Sequence, residues 1–287
     1  MFLGVVMIFF LTACASVSAQ SPETSPITTI ENKGSDTMVN LALAWAEAYQ
    51  KEHPEVNLSV TGGGSGTGIA SLQNGTADIA NASRSMKEEE ANDLRAKGLE
   101  PVEHIVARDA IAVIVNLSNP VQELSLQQVS DIYSGKINNW IEVGGEDRPI
   151  VRLSRETNSG THVYFLETVL RLGDSENKTL FSTDTLLLPS SVGILSEVRD
   201  NPNAIGYDGL GYVTNEVKMV ALSANPGGAY VLPSAETVNQ DLYPVARDLY
   251  MYTAGEVSPE VQDYLDWIMG ATAQAIVQEL GFVPINP

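Results

Sequence analysis

Basic residues are scarce in this chain. Its 287 residues include 16 lysines and arginines against 36 aspartates and glutamates, which gives a formal net charge of -20 at neutral pH. Proteins that bind nucleic acid present basic surfaces to the phosphate backbone, so this composition argues against nucleic acid as a partner. An anion can bind such a protein only in an enclosed site, where local groups outweigh the overall charge.

Residues for disulfide and metal chemistry are also few. Cys14 is the only cysteine, so no internal disulfide can form. The three histidines, His53, His104 and His162, have no spacing typical of a zinc site. We therefore expect no metal and no cofactor. His162 follows the start of a predicted helix without an evident acidic partner, and we predict that it lies at the surface or at the rim of a site.

Long apolar runs are limited to the N-terminus. Residues 1–12 are almost wholly apolar but too short to span a bilayer, which is typical of an export signal. The following sequence Leu-Thr-Ala-Cys resembles the bacterial lipoprotein cleavage box, in which a lipid is attached to the cysteine, here Cys14. Ordinary cleavage after residues 17–19 is the alternative. We predict a signal peptide at 1–19, a tether at 20–27 and a lipid anchor at Cys14.

Short strands alternate with helices through the rest of the chain. Residues 28–33 and 56–60 read as strands, and 37–52 carry apolar residues at 38, 41, 45 and 49, which form a helical stripe. This alternation predicts an α/β fold with largely parallel sheets. Residues 102–115 and 250–252 are the best candidates for strands that cross between two lobes. Other elements are predicted at 69–73, 77–82, 86–97, 125–133, 150–153, 159–171, 191–200, 217–222, 258–269 and 271–280.

Four polar segments follow predicted strands, and three of them also precede helices. They are 34–37 (GSDT), 62–68 (GGGSGTG), 82–84 (ASR) and 154–161 (SRETNSGT). Free N–H groups and a positive dipole at a helix start bind oxyanions, while glycines allow close backbone approach. Ser and Thr hydroxyls donate to oxygen, and Arg adds a charge of matching geometry. Each segment alone is more often a helix cap, a tight turn or a surface ion pair, so the prediction depends on their coincidence.

Enzyme signatures are missing from the same segments. The glycine-rich run lacks the Lys of a nucleotide-binding loop, and position 67 is Thr, so no Gly-x-Ser-x-Gly nucleophile motif surrounds Ser65. Asp36 and Glu156 are carboxylates in a very acidic chain, where scattered carboxylates seldom form a catalytic pair. We expect a protein that is not an enzyme.

Taken in order, these motifs resemble the substrate-binding protein of bacterial phosphate-specific ABC transporters. The resemblance covers about 28 to 285 and is carried by GSDTM, AWAEAYQKEHP, VTGGGSGTGIASLQNGTADIANASR, DIYSGKINNW, SRETNSGT and AIGYDGLGYV. It implies a two-lobed periplasmic binding protein of type II, with a hinge of crossing strands. We place one lobe at 28–112 plus 245–287 and the other at 113–244.

The resemblance also implies the ligand and its contacts. The ligand would be inorganic phosphate, held as the lobes close, and the partners would be the permease subunits of an ABC importer outside the cytoplasmic membrane. A monomer is expected. The phosphate contacts carry over to Ser35, Asp36, Thr37, Ser65, Ser83, Arg84, Arg155, Ser159, Gly160 and Thr161.

Arg84 departs from the pattern of this family. Some members have an Asp there, which accepts the proton of hydrogen phosphate and repels sulfate, whereas Arg has no acceptor. An unpaired P–OH group would cost about 1–3 kcal/mol, so we hypothesise that Asp36 is the proton acceptor in this chain. A receptor for another tetrahedral oxyanion and a phosphate-sensing lipoprotein remain alternatives, and a phosphate-dependent enzyme is a weaker one.

Overall fold

The computed structural model describes residues 27–285 of the chain. The strands are β1 (Thr28–Gly34), β2 (Val56–Thr61), β3 (Ile79–Ala82), β4 (Pro101–Asn116), β5 (Glu123–Ser125), β6 (Val151–Arg155), β7 (Leu186–Leu188), β8 (Ala204–Gly209), β9 (Val217–Met219), β10 (Ala221–Ser223) and β11 (Ala246–Ala254). The α-helices are α1 (Val39–Glu52), α2 (Ser65–Gln73), α3 (Glu88–Ala96), α4 (Leu126–Tyr133), α5 (Gly160–Phe165), α6 (Ser191–Asp200), α7 (Ala235–Asn239), α8 (Pro259–Ile268) and α9 (Ala271–Glu279). Shorter helical segments are the 3₁₀ turns Asp36–Met38, Trp140–Val143 and Leu210–Tyr212, and the π-helical turn Leu166–Leu170 that continues α5.

Nine strands form one sheet in the order β2-β1-β3-β11-β4-β8-β6-β7, with β9 also paired to β4. The outer strands are parallel, since β1 pairs with β2 and β3, and β6 with β7 and β8, in parallel register. The central strands β11 and β4 run antiparallel to their neighbours. This mixed arrangement confirms the predicted α/β class.

The long strand β4 is shared by both ends of the sheet. It pairs with β11 up to Ala110 and with β8 from Ile111 onward. We call residues 28–110 and 246–285 the first half, and residues 111–245 the second half. The chain crosses between them twice, along β4 and again where Val245 leads into β11.

Each half has its own apolar core. In the first half the predicted helical stripe, formed by Met38 just before α1 and by Leu41, Trp45 and Tyr49 within it, is at most 1% exposed. Trp45 Nε1 donates to the carbonyl oxygen of Ala273 at 2.9 Å, which fixes α1 against α9. Apolar faces that meet in this way supply most of the stability of the fold. The core of the second half is built around the aromatic side chains of Tyr133, Trp140, Phe165 and Tyr207.

One local prediction was wrong, and another was confirmed with a change of helix type. The single strand expected at 217–222 is two strands, because β9 pairs with β4 whereas β10 pairs with β5 in a separate two-stranded sheet. The helix expected at 159–171 is α-helical only through Phe165 and continues as the π-helical turn. The predicted signal peptide, tether and Cys14 lie outside the described residues. Within 27–285, no helix is both long and apolar enough to cross a membrane.

Candidate anion-binding site

Three buried serine hydroxyls converge in the first half. Ser35 Oγ donates to Ser83 Oγ at 2.9 Å, and Ser65 Oγ lies 3.4 Å from Ser83 Oγ while accepting from the Ser83 amide at 3.1 Å. The side chains are at most 2% exposed. They follow β1, β2 and β3, whose carboxyl ends meet at one edge because these strands are parallel. Three of the four predicted segments are therefore brought together.

The fourth segment reaches the same point from the second half. Thr161 Oγ1 lies 2.8 Å from Thr37 Oγ1, and Ser159 Oγ caps α5 by accepting from the Thr161 amide at 3.2 Å. Gly160 lies directly against the serines, since a Cβ atom there would be 2.3 Å from Ser65 Oγ. Only glycine allows the first turn of α5 to approach this closely.

The glycine-rich loop before α2 also contacts the second half. The Gly66 amide donates to Asn158 O at 3.2 Å, and Asn158 Nδ2 donates to Gly63 O at 2.9 Å. Gly64 has φ of 91°, which favours glycine, and a Cβ there would lie 2.8 Å from Asn158 O. The two halves are thus joined beside the hydroxyls by one backbone hydrogen bond and one from the Asn158 side chain.

Asp36 and Arg155 form an ion pair across the halves. Arg155 Nη2 donates to Asp36 Oδ2 at 2.7 Å, and the Gly63 amide donates to Asp36 Oδ1 at 2.9 Å. Arg155 is 1% exposed, and its Nη1 donates to Ser191 Oγ at 2.8 Å and lies 3.7 Å from Asp208 Oδ2. The guanidinium therefore has a fixed position at the junction of the two halves.

Tyr212 adds a further bridge, because its hydroxyl donates to the Asp36 carbonyl oxygen at 2.7 Å. Burial raises the pKa of Tyr212 to about 12, so its hydroxyl keeps the proton that it donates.

Arg84 lies at the end of β3, but its guanidinium is engaged elsewhere. Nη1 and Nη2 donate to the two carboxylate oxygens of Glu90 at 2.8 and 2.6 Å, and Nη1 also donates to Ser85 O. Burial alone would raise the pKa of Glu90, but the hydrogen bonds from Arg84 and the Lys87 amide, together with the charges of both residues, outweigh it and the pKa is lowered. Among the hydrogen bonds of the described residues, none joins the Arg84 side chain to the hydroxyl cluster.

Arg247, on β11, is a residue that sequence reasoning missed. Its Nη2 donates to Thr161 Oγ1 at 3.0 Å and to Asp109 Oδ2 at 2.9 Å, and its Nη1 donates to Ser83 O at 2.8 Å. Asp109 is fully buried on β4. The available signal was Asp109, a carboxylate beside the apolar run that follows it within the strand expected at 102–115, whereas Arg247 lies outside the strand expected at 250–252.

The prediction that His162 lies at the surface or rim was wrong. His162 is 7% exposed, its ring stacks on Phe181 at 4.6 Å, and Nδ1 lies 3.0 Å from Ser154 Oγ. It is the third residue of α5, and that helix faces Phe181 and Tyr207. Burial lowers the pKa of His162, so the neutral ring is favoured.

The resulting arrangement suits an oxyanion. Five hydroxyls, the amides of two helix starts and the Arg247 guanidinium meet where the halves join, and Arg155 is paired with Asp36, next to Thr37 in the chain. All of these groups can donate to oxygen. The hydroxyls are those of Ser35, Thr37, Ser65, Ser83 and Thr161.

Comparison with known proteins agrees with this geometry. Residues 19–272 match the PBP superfamily domain. The phosphate-binding protein PstS of Pseudomonas aeruginosa is 33% identical over 273 residues, which cover 89% of this chain and 83% of that protein. The chain belongs to the PstS family. The PstS protein of Bacillus subtilis is 32% identical over 255 residues, covering 88% of this chain and 79% of its own length.

Solved structures give the same assignment to the PstS family. A protein from Clostridium perfringens whose crystal structure contains bound phosphate is 33% identical, with a TM-score of 0.78, and covers 90% of this chain and 100% of its own. An ABC-type phosphate transport receptor from Vibrio cholerae is 27% identical, with a TM-score of 0.72 and the same coverage of 90% and 100%. The two-lobed fold expected from the sequence is the fold of these PstS-like structures.

Proposed function

We propose that this protein binds inorganic phosphate outside the cytoplasmic membrane and delivers it to an ABC importer. The observation that carries the proposal is the hydroxyl contact between Thr37 and Thr161, 124 positions apart, with Arg155 and Arg247 close by. Donors from both halves converge there, and a small tetrahedral anion could accept hydrogen bonds from them. The names and bound phosphate of the related proteins support this choice of ligand.

Ligand exchange would require the two lobes to separate. We propose that residues 28–112 plus 245–287 move as one lobe and 113–244 as the other. The partner change within β4 supports this division, as do the two separate apolar cores. Closure removes water from the site and so strengthens each hydrogen bond to the anion.

The proposed phosphate contacts are those expected from the sequence, with Arg84 as the least supported member. Phosphate oxygens would replace the hydroxyl-to-hydroxyl hydrogen bonds, so that each Ser or Thr donates to the ligand. The contacts are Ser35, Asp36, Thr37, Ser65, Ser83, Arg84, Arg155, Ser159, Gly160 and Thr161. No covalent step is involved, since the hydroxyls act only as donors.

Isothermal titration of the purified, ligand-stripped protein tests this function. We expect saturable heat with phosphate and with arsenate, which has the same charge and shape, and weaker heat with sulfate. A protein that gives no heat with phosphate across pH 5 to 9 is not a phosphate receptor. A preference for sulfate over phosphate would instead favour a receptor for another tetrahedral oxyanion.

Asp36 is proposed to accept the proton of hydrogen phosphate. The hydrogen bonds from Arg155 and Gly63 use one position on each carboxylate oxygen, and a carboxylate offers about four lone-pair sites. Asp36→Asn should reduce the preference for phosphate over sulfate, measured as the ratio of the two dissociation constants. Glu156→Gln, an exposed carboxylate in the segment that follows β6, is the matched control. If the ratio is the same in both variants, Asp36 does not accept the proton of hydrogen phosphate.

We also propose that the protein is attached to the membrane by a lipid on Cys14. We expect radiolabelled fatty acid to be incorporated into the protein expressed in bacteria and to be lost in Cys14→Ser. Absence of label, with a mature N-terminus after residues 17–19, would favour a free periplasmic form.

Transport by the permease subunits, rather than sensing alone, predicts that deletion of the gene lowers phosphate uptake by cells. Size-exclusion chromatography with light scattering should give the mass of a monomer.

A further inference from the structure

Arg247 and Asp109 face each other directly across the two crossing strands. They are opposite partners in the antiparallel ladder between β11 and β4. Their side chains are 2% and 0% exposed, and Arg247 Nη2 and Nε lie 2.9 and 3.3 Å from Asp109 Oδ2. Because the ladder fixes both backbones, the guanidinium does not depend on a loop for its position.

In the neighbouring cross-strand pair the charges are exchanged between the strands, because Arg108 is on β4 and Asp248 is on β11. Arg108 is 29% exposed and contacts Asp248 at 3.7 Å and Asp241 at 3.0 Å. Successive side chains of a strand point to opposite faces, so Arg108 and Asp109 serve different surfaces of the same ladder. One pair lies at the rim of the protein, and the other is buried beneath the hydroxyl cluster.

The guanidinium of Arg247 has more hydrogen-bonding capacity than Asp109 uses. Nη1 donates to Ser83 O at 2.8 Å, in the first half. One hydrogen of Nη2 is directed to Asp109, and the other faces Thr161 Oγ1 at 3.0 Å and Thr37 Oγ1 at 3.4 Å. A pair that served only to fasten the two strands would not need to face one hydroxyl from each half.

Three donor hydrogens meet at this point, one from each hydroxyl and one from Nη2. Thr37 and Thr161 contact each other at 2.8 Å, so one hydroxyl donates to the other, while Nη2 also supplies a hydrogen to the pair. A single anionic oxygen placed among the three groups would accept from all of them at once. Charge-assisted hydrogen bonds of this kind are about twice as strong as neutral ones.

We propose that Arg247 is a further ligand-binding residue of this site, which donates through Nη2 to the anion oxygen that Thr37 and Thr161 also bind, with Asp109 as its positioning residue. This inference rests on the proposed function. It adds a cation contributed by the crossing strands themselves, whereas Arg155 is contributed by the second half and reaches Asp36 in the first. The anion would then contact both halves and the strands that join them.

Titration calorimetry with inorganic phosphate tests the inference on the full-length mature protein. Arg247→Gln should weaken phosphate binding about ten- to hundred-fold, the loss expected when one charge-assisted donor is removed. Arg108→Gln removes a guanidinium from the adjacent position of the same ladder, and its affinity should stay within about two-fold of the unsubstituted protein. Thermal unfolding without phosphate reports whether each variant is folded.

A buried Asp109 without its partner can unfold the protein, so Arg247→Lys is the second variant. Lysine keeps the charge near Asp109 but lacks the planar fork, and we expect about ten-fold weaker binding with the fold retained. Affinity equal to that of Arg108→Gln in a folded Arg247 variant overturns the inference alone. Absence of phosphate binding by the unsubstituted protein overturns the proposed function and this inference with it.

Discussion

Replacement of Gly160 by alanine is the most direct perturbation of the closed arrangement. The added Cβ would lie 2.3 Å from Ser65 Oγ and 2.6 Å from Ser83 Oγ, well below the 3.0 Å that real Cβ atoms keep. The first turn of α5 must therefore retreat by roughly 0.7 Å, or the serine hydroxyls must rotate out of the site. Either response removes donors from the place where we expect the anion.

The expected effect follows from the cost of overpacking. Inserting a methyl group into a packed region costs about 1–3 kcal/mol, which corresponds to about 5- to 150-fold weaker phosphate binding. Stability without phosphate should change little, because the halves can separate and relieve the contact. Titration calorimetry measures the first quantity, and thermal unfolding of the ligand-stripped protein measures the second.

Gly66→Ala is the matched control for this experiment. Gly66 is also in the first turn of a helix at the junction, but its Cβ would meet Asn158 O at 3.5 Å, an ordinary van der Waals distance. We expect its affinity to stay within about two-fold of the unsubstituted protein. If Gly160→Ala binds phosphate as tightly as Gly66→Ala does, the contact between α5 and the serines does not belong to the ligand-bound state.

Two further predictions concern hydrogen bonding and pH. Tyr212→Phe removes the 2.7 Å hydrogen bond to Asp36 O, a bond between the halves that stabilises the closed arrangement. Phosphate binding in titration calorimetry should therefore weaken by about two- to ten-fold. Unchanged affinity would mean that this hydrogen bond forms equally in the open state. Burial lowers the pKa of His162 from 6.5, so the folded state binds fewer protons than the unfolded state, and the free energy of unfolding should fall as pH drops below about 6.5. Burial also lowers the pKa of His104, so urea denaturation of His162→Gln between pH 7 and 5 should show a reduced slope rather than none, and an unreduced slope would contradict this assignment.

Elements with strong local patterns were predictable from the sequence. The stripe of α1 has the 3.6-residue period that buries one face of a helix, and all four of its predicted positions are buried. The meeting of Ser35, Ser65 and Ser83 was also expected, because polar residues that follow parallel strands collect at one edge of the sheet. These inferences need only local pattern and a rule of topology.

Contacts that depend on register or on side-chain direction were not predictable. Arg247 and Asp109 are separated by 138 positions, and only the ladder between β11 and β4 makes them neighbours. Arg84 is in the predicted segment, but Glu90, six positions further on, engages its guanidinium. The strand pattern alone does not show whether the Arg84 side chain points toward the serines or toward Glu90, since a long flexible side chain can adopt either direction.

The placement of β11 has a consequence for the order of folding. This strand lies between β3 and β4 in the sheet, yet it begins at Ala246, after the whole second half has been synthesised. Leu249 and Met251 from β11, and Tyr264 and Val277 from the helices that follow, belong to the same core as Ile30 and Trp45. The first half therefore stays incomplete until the last forty or so residues arrive, whereas the second half is continuous in sequence. Pairings of such long sequence separation form slowly, so we expect the second half to become compact first, with the first half completed afterwards by β11.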